Sequence, residues 1–306
     1  MKILLLGRDG QVGWELQRSL APLGELVALG RQGSADRVAD LRNLDALVQT
    51  VRAVAPDVIV NAAAYTAVDQ AEAEPDLARV VNVDAPAVLA REATRLNAWL
   101  LHYSTDYVFD GSGNRPWQET DATQPLNVYG ETKLQGEQAI RDSGCRHLIL
   151  RTSWVYAARG QNFVRTMLRL AEERETLHVI DDQIGAPTGA ELIANITAHA
   201  LTVVRRNADA GGLYHVAAAG ETSWHGLACL LIERGRALGW PLRVATEDIV
   251  PVATEAFPTA ASRPRNSRLD CALFLRTFGF ELPDWRVGVE RVLKQIRDQE
   301  ISVDSD

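Results

Sequence analysis

A phenol and an ammonium stand four residues apart in Tyr129-Gly130-Glu131-Thr132-Lys133. On a helix, that spacing puts both side chains on one face. A neighbouring ammonium favours the phenolate and so lowers the phenol's pKa. A phenol tuned in this way gives a proton to a carbonyl, or takes one from an alcohol, near neutral pH. Upstream, Ser104-Thr105-Asp106-Tyr107-Val108-Phe109 follows an apolar run that reads as a strand. Catalytic residues of open α/β sheets collect at such strand ends. The Thr105 hydroxyl is placed to hydrogen-bond the same carbonyl oxygen, so Thr105, Tyr129 and Lys133 form a catalytic set.

A second constellation supplies the other half of a redox reaction. Gly7-Arg8-Asp9-Gly10-Gln11-Val12-Gly13 lies between an apolar run and an amphipathic segment. Glycines there permit a tight turn, a close approach of backbone N–H groups to a pyrophosphate, and close helix–strand packing. The helix that follows offers free N–H donors and a positive dipole end. The spacing is G-x-x-G-x-x-G rather than the commoner G-x-G-x-x-G. After the second apolar run the chain reads Leu29-Gly30-Arg31, where an acid would hold the ribose hydroxyls of NAD. A guanidinium at that place suits a 2′-phosphate instead. Asp40-Leu41 is placed to receive the adenine. Asn61-Ala62-Ala63-Ala64 ends a third run with small residues that let a cofactor lie against the backbone. A dinucleotide loop combined with a proton-donating tyrosine means hydride exchange at a carbonyl.

These groups need a frame. Lys2–Leu6, Glu25–Leu29, 57–61, Trp99–Ser104 and 147–152 are short apolar runs of the kind buried on both faces of a parallel sheet. Helical patterns separate them at 12–20, Leu44–Val54, 75–96 and 128–143. Strands alternating with helices of this length make βαβ crossovers. The expectation is an α/β, Rossmann-type doubly wound parallel sheet over residues 1–155, with a smaller mixed C-terminal domain over 156–306 and an interleaved boundary. In that second half we expect helices at 163–174, 190–204, 224–238 and 285–297. Strands are expected at Leu177–Ile180, 214–217 and 242–245, and a Pro-rich loop at 250–268.

The 306 residues carry 32 basic and 40 acidic side chains, a net charge of −8. That disfavours duplex nucleic acid and anionic membrane as partners, since both require a basic face. No apolar run is long enough to span a bilayer, and the start shows no signal-peptide pattern. The three cysteines, Cys145, Cys229 and Cys271, are widely spaced and fit packed thiols in a reducing cytoplasm. The six histidines form no ligand-spaced group.

Gly7…Gly13, Asn61-Ala62-Ala63, Thr105 and Tyr129…Lys133 together resemble the extended short-chain dehydrogenase/reductases. The finer resemblance is to the dTDP-4-dehydrorhamnose reductase family. It rests on Gly10-Gln11-Val12-Gly13-Trp14-Glu15-Leu16, on Asn61 through Asp69, on Ser104 through Gly111, on Asp182-Gln183-Ile184-Gly185-Ala186-Pro187-Thr188, and on Arg263-Pro264…Asn266-Ser267. The resemblance covers nearly the whole chain. It implies NADPH as cofactor, with NADH also usable, and a dTDP-sugar as substrate. It implies Tyr129 as proton donor, Lys133 as its tuner and ribose ligand, and Thr105 as carbonyl partner. Cofactor contacts would come from Gly7, Gly10, Gln11, Val12, Gly13, Arg31, Asp40, Leu41, Ala63, Ala64, Tyr65, Thr66 and Tyr103. The sugar nucleotide would meet Val68, Thr105, Asp106, Tyr129, Trp154, Arg263 and Asn266. Glu15 and Glu191 match positions where some members hold Mg²⁺ at a dimer interface, which makes a homodimer and a metal further expectations; the third carboxylate aligns with Gln295. A related nucleotide-sugar 4-ketoreductase or epimerase, or a cofactor-binding regulatory subunit without turnover, are the alternatives.

Overall fold

The structure is a computed structural model that describes residues 1–33 and 37–303. The first half alternates as β1 (Lys2–Leu6), α1 (Gln11–Leu20), β2 (Glu25–Leu29), α2 (Leu44–Val54), β3 (Val58–Asn61), α3 (Val68–Ala73), α4 (Pro75–Arg79), α5 (Ala85–Leu96), β4 (Trp99–Thr105), α6 (Val128–Asp142), β5 (Arg146–Thr152) and β6 (Val155–Tyr156). The second half adds α7 (Phe163–Glu173), β7 (Leu177–Ile180), β8 (Ile184–Gly185), β9 (Thr188–Gly189), α8 (Ala190–Val204), β10 (Gly212–His215) and β11 (Thr222–Ser223). It closes with α9 (Trp224–Ala237), β12 (Ile249–Val252), α10 (Ala272–Phe278) and α11 (Trp285–Val303).

Six parallel strands form the main sheet in the order β10-β5-β4-β3-β1-β2. Side chains of a strand alternate between faces, and here both faces are covered. Ile3 and Leu5 pack with Leu16 and Leu20 of α1 and Ala200 and Leu201 of α8. Leu4 and Leu6 pack with Leu47 and Val51 of α2 and Leu89 of α5. The order reverses between β1 and β3, which opens a crevice at their C-terminal ends, the place where such sheets bind ligands. From the second half, β10 adds the edge strand next to β5, and α8 and α10 pack on the sheet, with Ala200, Tyr214 and Phe274 in one core. A separate core joins α7, α9 and α11 through Leu168, Leu231 and Leu293, with β7 and β12 paired beside it.

Three elements depart from the expectation. Residues 242–245 are not a strand; Leu242 and Val244 are apolar because they fill the second core, and the backbone N–H of Arg243 bonds Ala171 instead of a ladder partner. The strand lies at Ile249–Val252, inside the stretch read as a loop, and it accommodates Pro251 because its ladder is only two strands wide. The helix expected over 75–96 is interrupted by a π-helical turn at Val80–Asp84.

Candidate active site

The glycine loop is built as its spacing requires. Gly7 has φ +87°, and a Cβ there would press into the Ala62–Ala63 backbone at 2.7–2.9 Å. A Cβ on Gly13 would collide with the carbonyl of Gly7, so α1 starts tight against β1. Gly10 caps α1 with no side-chain bond to the helix, and the first turn holds no acid. The leading N–H groups of α1 therefore face the crevice uncapped, a cradle for a pyrophosphate. Gln11 reaches across to accept from the Asn162 amide at 2.9 Å, tying the loop to the second half.

The loop after β3 forms the opposite wall. Ala63, Ala64 and Tyr65 are half-buried and Thr66 is exposed. Their position is fixed by Asn82, which the sequence reading did not single out. Its side-chain oxygen accepts from the Tyr65 N–H at 2.9 Å, and its amide donates to the Tyr65 carbonyl at 3.1 Å and to Thr132 at 3.2 Å. Asn82 sits in the π-turn, so that irregularity joins the cofactor wall to α6. The phenol of Tyr65 donates to Glu74 at 2.7 Å.

Arg31 lies in the exposed turn after β2, close enough to Asp40 to help depress its carboxyl pKa. The larger effect on Asp40 is its forked pairing with Arg42, with Nε 2.9 Å from Oδ2. Leu41 is buried. Asp9 also reaches this corner: any side chain on Gly30 would run into its carboxylate. An acid and a base thus flank the strand end where the sequence showed only the base.

Of the Thr–Tyr–Lys set, Thr105 and Tyr129 are neighbours, and Lys133 lies one turn along the same helix, against β4. Tyr129 opens α6, which Asn127 caps by accepting from the Gly130 N–H at 2.8 Å. The Tyr129 hydroxyl lies near Thr105, close enough for that side chain to act on its titration, and its ring meets Tyr107 edge-on at 5.7 Å. Its pKa is not lowered. Burial pushes it up to about 12, with Asp106 adding to the rise and Thr105 opposing it. The Lys133 side chain has other partners. Its Nζ donates to the Tyr103 carbonyl at 2.6 Å and lies 3.1 Å from His102 Nε2. Burial lowers Lys133 to about 8, with Glu137 opposing. The Tyr103 phenol is held by Thr197 of α8 at 2.7 Å.

Asp106 is 2% exposed. Its Oδ1 accepts from Thr105 at 3.2 Å, while its Oδ2 has no partner. Burial raises its carboxyl pKa to about 7. Such an orphaned oxygen beside Tyr129 is a ready acceptor for a substrate hydroxyl.

The remaining substrate candidates are placed unevenly. Val68 opens α3, half-buried. Trp154, with φ +48°, stacks on Trp224 at 3.6 Å between ring centres, which leaves only its other face for a sugar. Arg263 forms a two-pronged ion pair with Asp69 at 2.6 and 2.9 Å, so its charge is already compensated. Asn266 is buried, and its amide donates to the Ser112 and Arg115 carbonyls. It supports the loop after Phe109 rather than presenting its side chain to a ligand.

Glu15 and Glu191 lie close to one another in this chain. Arg18 stands 3.8 Å from both, and Arg291 pairs with Glu191 at 2.9 Å. Among the described residues no group of three His, Cys, Asp or Glu is disposed to hold a metal. No helix among the described residues is long and apolar enough to cross a membrane.

Comparison with known proteins agrees with this geometry. The family model for the RmlD substrate binding domain matches residues 1–298. The dTDP-4-dehydrorhamnose reductase of Escherichia coli K12 is 54% identical over 296 residues, covering 97% of this chain and 98% of that protein. The chain belongs to the dTDP-4-dehydrorhamnose reductase family. It is an oxidoreductase. A crystal structure of the family's Clostridium acetobutylicum member superposes with a TM-score of 0.86 at 32% identity, covering 97% of this chain and 100% of that one. The Bacillus anthracis member, solved in complex with NADP, gives 0.85 at 34% identity, covering 96% and 99%.

Proposed function

We propose that the protein reduces the C4 ketone of dTDP-4-dehydro-β-L-rhamnose to the alcohol of dTDP-β-L-rhamnose, in the cytoplasm, with NADPH as preferred cofactor and NADH also usable. The observation that carries this is the unpartnered Asp106 oxygen beside Thr105 and the buried Tyr129 phenol, at the C-terminal end of β4 in the same sheet as the glycine cradle. The substrate's identity follows from the relatives' name, and the cofactor from the Bacillus anthracis complex.

Residues 1–155 chiefly hold the cofactor and residues 156–306 the sugar nucleotide. Gly7, Gly10 and Gly13 cradle the pyrophosphate, Arg31 meets the 2′-phosphate, and the Ala63–Thr66 loop walls the crevice. The nicotinamide, when bound, supplies the hydride. Tyr129 gives its hydroxyl proton to the ketone oxygen, and Thr105 orients that oxygen by hydrogen bonding. A phenol held protonated by burial is the form a donor needs. Asp106 accepts from a sugar hydroxyl. Trp154 offers the apolar surface not stacked on Trp224 to the ring and C6 methyl. Arg263 can meet a diphosphate only by sharing or leaving Asp69.

The test is NMR of the product after incubation with NADPH and the 4-keto sugar nucleotide. The rhamno product is expected. A talo product, inverted at C4, would assign a sister reductase. Tight NADPH binding with no turnover on any 4-keto sugar nucleotide would favour the regulatory reading.

A further inference from the structure

Trp154 has a neighbour that the proposed reaction does not yet use. Trp154 follows β5 with φ +48°, a conformation that bulky side chains rarely hold. Among the described residues the other non-glycine positions with positive φ, Ala55 and Asn97, are helix C-caps, which Trp154 is not. Its indole lies face to face with that of Trp224, ring centres 3.6 Å apart and planes within 10°. Free aromatic pairs prefer an offset or edge-on arrangement. Backbone and stack alike are therefore imposed by the surroundings, as strain at a ligand site is. β8 and β11 pair antiparallel, with Gly185 opposite Thr222 and Ile184 opposite Ser223. Gly185 lies against Trp154: a Cβ there would come within 2.8 Å of Cε2 and 3.0 Å of Nε1. β11 runs straight into α9, whose first residue is Trp224 and whose N-cap, Ser223, accepts from the Gly226 N–H at 2.9 Å. One short ladder thus brings both Gly185 and Trp224 to the Trp154 ring. Trp224 is pinned in turn. Its Nε1 donates to Gln183 at 3.1 Å, and Phe163 tilts against its ring at 4.6 Å. Gln183 is buried, and its amide donates to Thr254 at 3.2 Å.

We propose that Trp224 is a positioning residue that, together with Gly185, fixes the plane of Trp154 and makes its remaining surface a preset platform for the sugar. This rests on the reading that Trp154 meets the sugar ring and its C6 methyl. Trp154 is only half-buried with Trp224 in place, so surface remains for that contact. A side chain already held in its bound orientation loses less freedom when the ligand arrives, and the complex is tighter for it. The platform acts on substrate and transition state alike, so the hold is felt in KM rather than in kcat. Leucine at position 224 fills space but cannot stack, whereas phenylalanine still presents a flat ring.

The chain has seven tryptophans, few enough to observe singly. The measurement is fluorine NMR of the full-length protein grown with 5-fluorotryptophan. The signals of Trp154 and Trp224 are assigned by their loss in Trp154→Phe and Trp224→Phe. In the ligand-free parent we expect a sharp Trp154 signal, displaced from its unfolded position by the ring current of its partner. In Trp224→Leu it should move back toward that position and broaden, and in Trp224→Phe it should keep most of its displacement. A titration then uses dTDP-β-L-rhamnose, the proposed product, with dTDP, which lacks the sugar, as reference. Affinity for dTDP-β-L-rhamnose should fall about threefold to tenfold in Trp224→Leu, the worth of an aromatic pair, with dTDP and NADPH bound as in the parent. The KM for the 4-keto sugar nucleotide should rise by the same factor while kcat stays within about twofold. Trp224→Phe should restore most of the loss. An unmoved Trp154 signal or an unchanged affinity for dTDP-β-L-rhamnose in folded Trp224→Leu would overturn the proposal. So would equal losses for both nucleotides, which a general disturbance of the fold gives, or a parent Trp154 signal that ignores bound dTDP-β-L-rhamnose. If Trp224→Leu does not fold, Gly185→Ala decides, because it crowds the Trp154 ring with Trp224 still in place. There the Trp154 signal should move and dTDP-β-L-rhamnose alone should bind more weakly, and the absence of either effect overturns the proposal. Spectra and titrations need no turnover, so a failed product assay leaves the hold on Trp154 standing, and failure here leaves the assignment of the reduction standing.

Discussion

Glu137 and Arg151 close on one another at 2.6 and 2.9 Å, both side chains almost wholly buried, and so clamp the helix that carries Tyr129 and Lys133 onto β5. Tyr129, Lys133 and Glu137 are spaced four apart along α6, so the clamp lies on the same face as the chemistry. Removing one partner strands a buried charge. Glu137→Gln should therefore cost about 3–5 kcal/mol of stability, read from denaturant midpoints. Replacing both residues with apolar side chains of similar volume should recover most of that loss. A Glu137→Gln protein as stable as the parent would show that the pair does not anchor α6.

Tyr129→Phe removes the donated proton and keeps the ring. Turnover should fall roughly 10²–10⁴-fold, the usual worth of a positioned general acid, while NADPH binding is nearly unchanged. Lys133→Ala should harm both turnover and cofactor affinity. Steady-state kinetics and a direct NADPH titration check both. Parental turnover in Tyr129→Phe would assign the proton to another group.

Asp106 gives the protein a pH signature. Its folded carboxyl titrates at about 7, against an ordinary value near 4, so the folded state holds the proton more tightly. The sign follows: this contribution to stability is fully present below about pH 4 and is lost as pH rises through 7. Over that window it amounts to at most about 4 kcal/mol. Asp106→Asn should flatten the fall. Urea unfolding of both proteins at several pH values between about 4 and 8 measures the difference. Parallel curves for the two proteins would mean that Asp106 is ionised throughout.

The frame was legible because its signals are local. Parallel strands buried on both faces read as apolar runs, and the glycine and Tyr–Lys spacings survive translation into structure unchanged. What stayed hidden depends on distant partners or irregular turns. Asn82 looks like any polar residue of a helical pattern until the π-turn swings it onto the Tyr65 backbone. His102 sits in an apolar run, where a packed ring is unremarkable. Arg263 reads as a free cation because Asp69, which holds it, is 194 residues away.

The same limit bears on cofactor choice. From Gly30-Arg31 alone, a marked preference for NADPH follows, because a guanidinium contact to the 2′-phosphate is worth about 1.5–3 kcal/mol, or tenfold to a hundredfold in affinity. The structure adds Asp9, whose carboxylate lies against Gly30 at the same strand end. A carboxylate there repels a 2′-phosphate and accepts from a ribose hydroxyl, so it works for NADH and against NADPH. Both side chains are largely exposed, so solvent and salt screen both effects. The expected parent is thus an enzyme that prefers NADPH by less than the arginine alone would give. Asp9→Asn should widen the preference, and Arg31→Ala should erase or invert it. The two changes should largely offset each other when combined, because they act on one phosphate from opposite sides. The measurement is kcat/KM for each cofactor at fixed low ionic strength in the parent and the three variants. If Asp9→Asn left the ratio untouched while Arg31→Ala abolished it, Asp9 would lie outside the reach of the 2′ position and the arginine alone would set the preference.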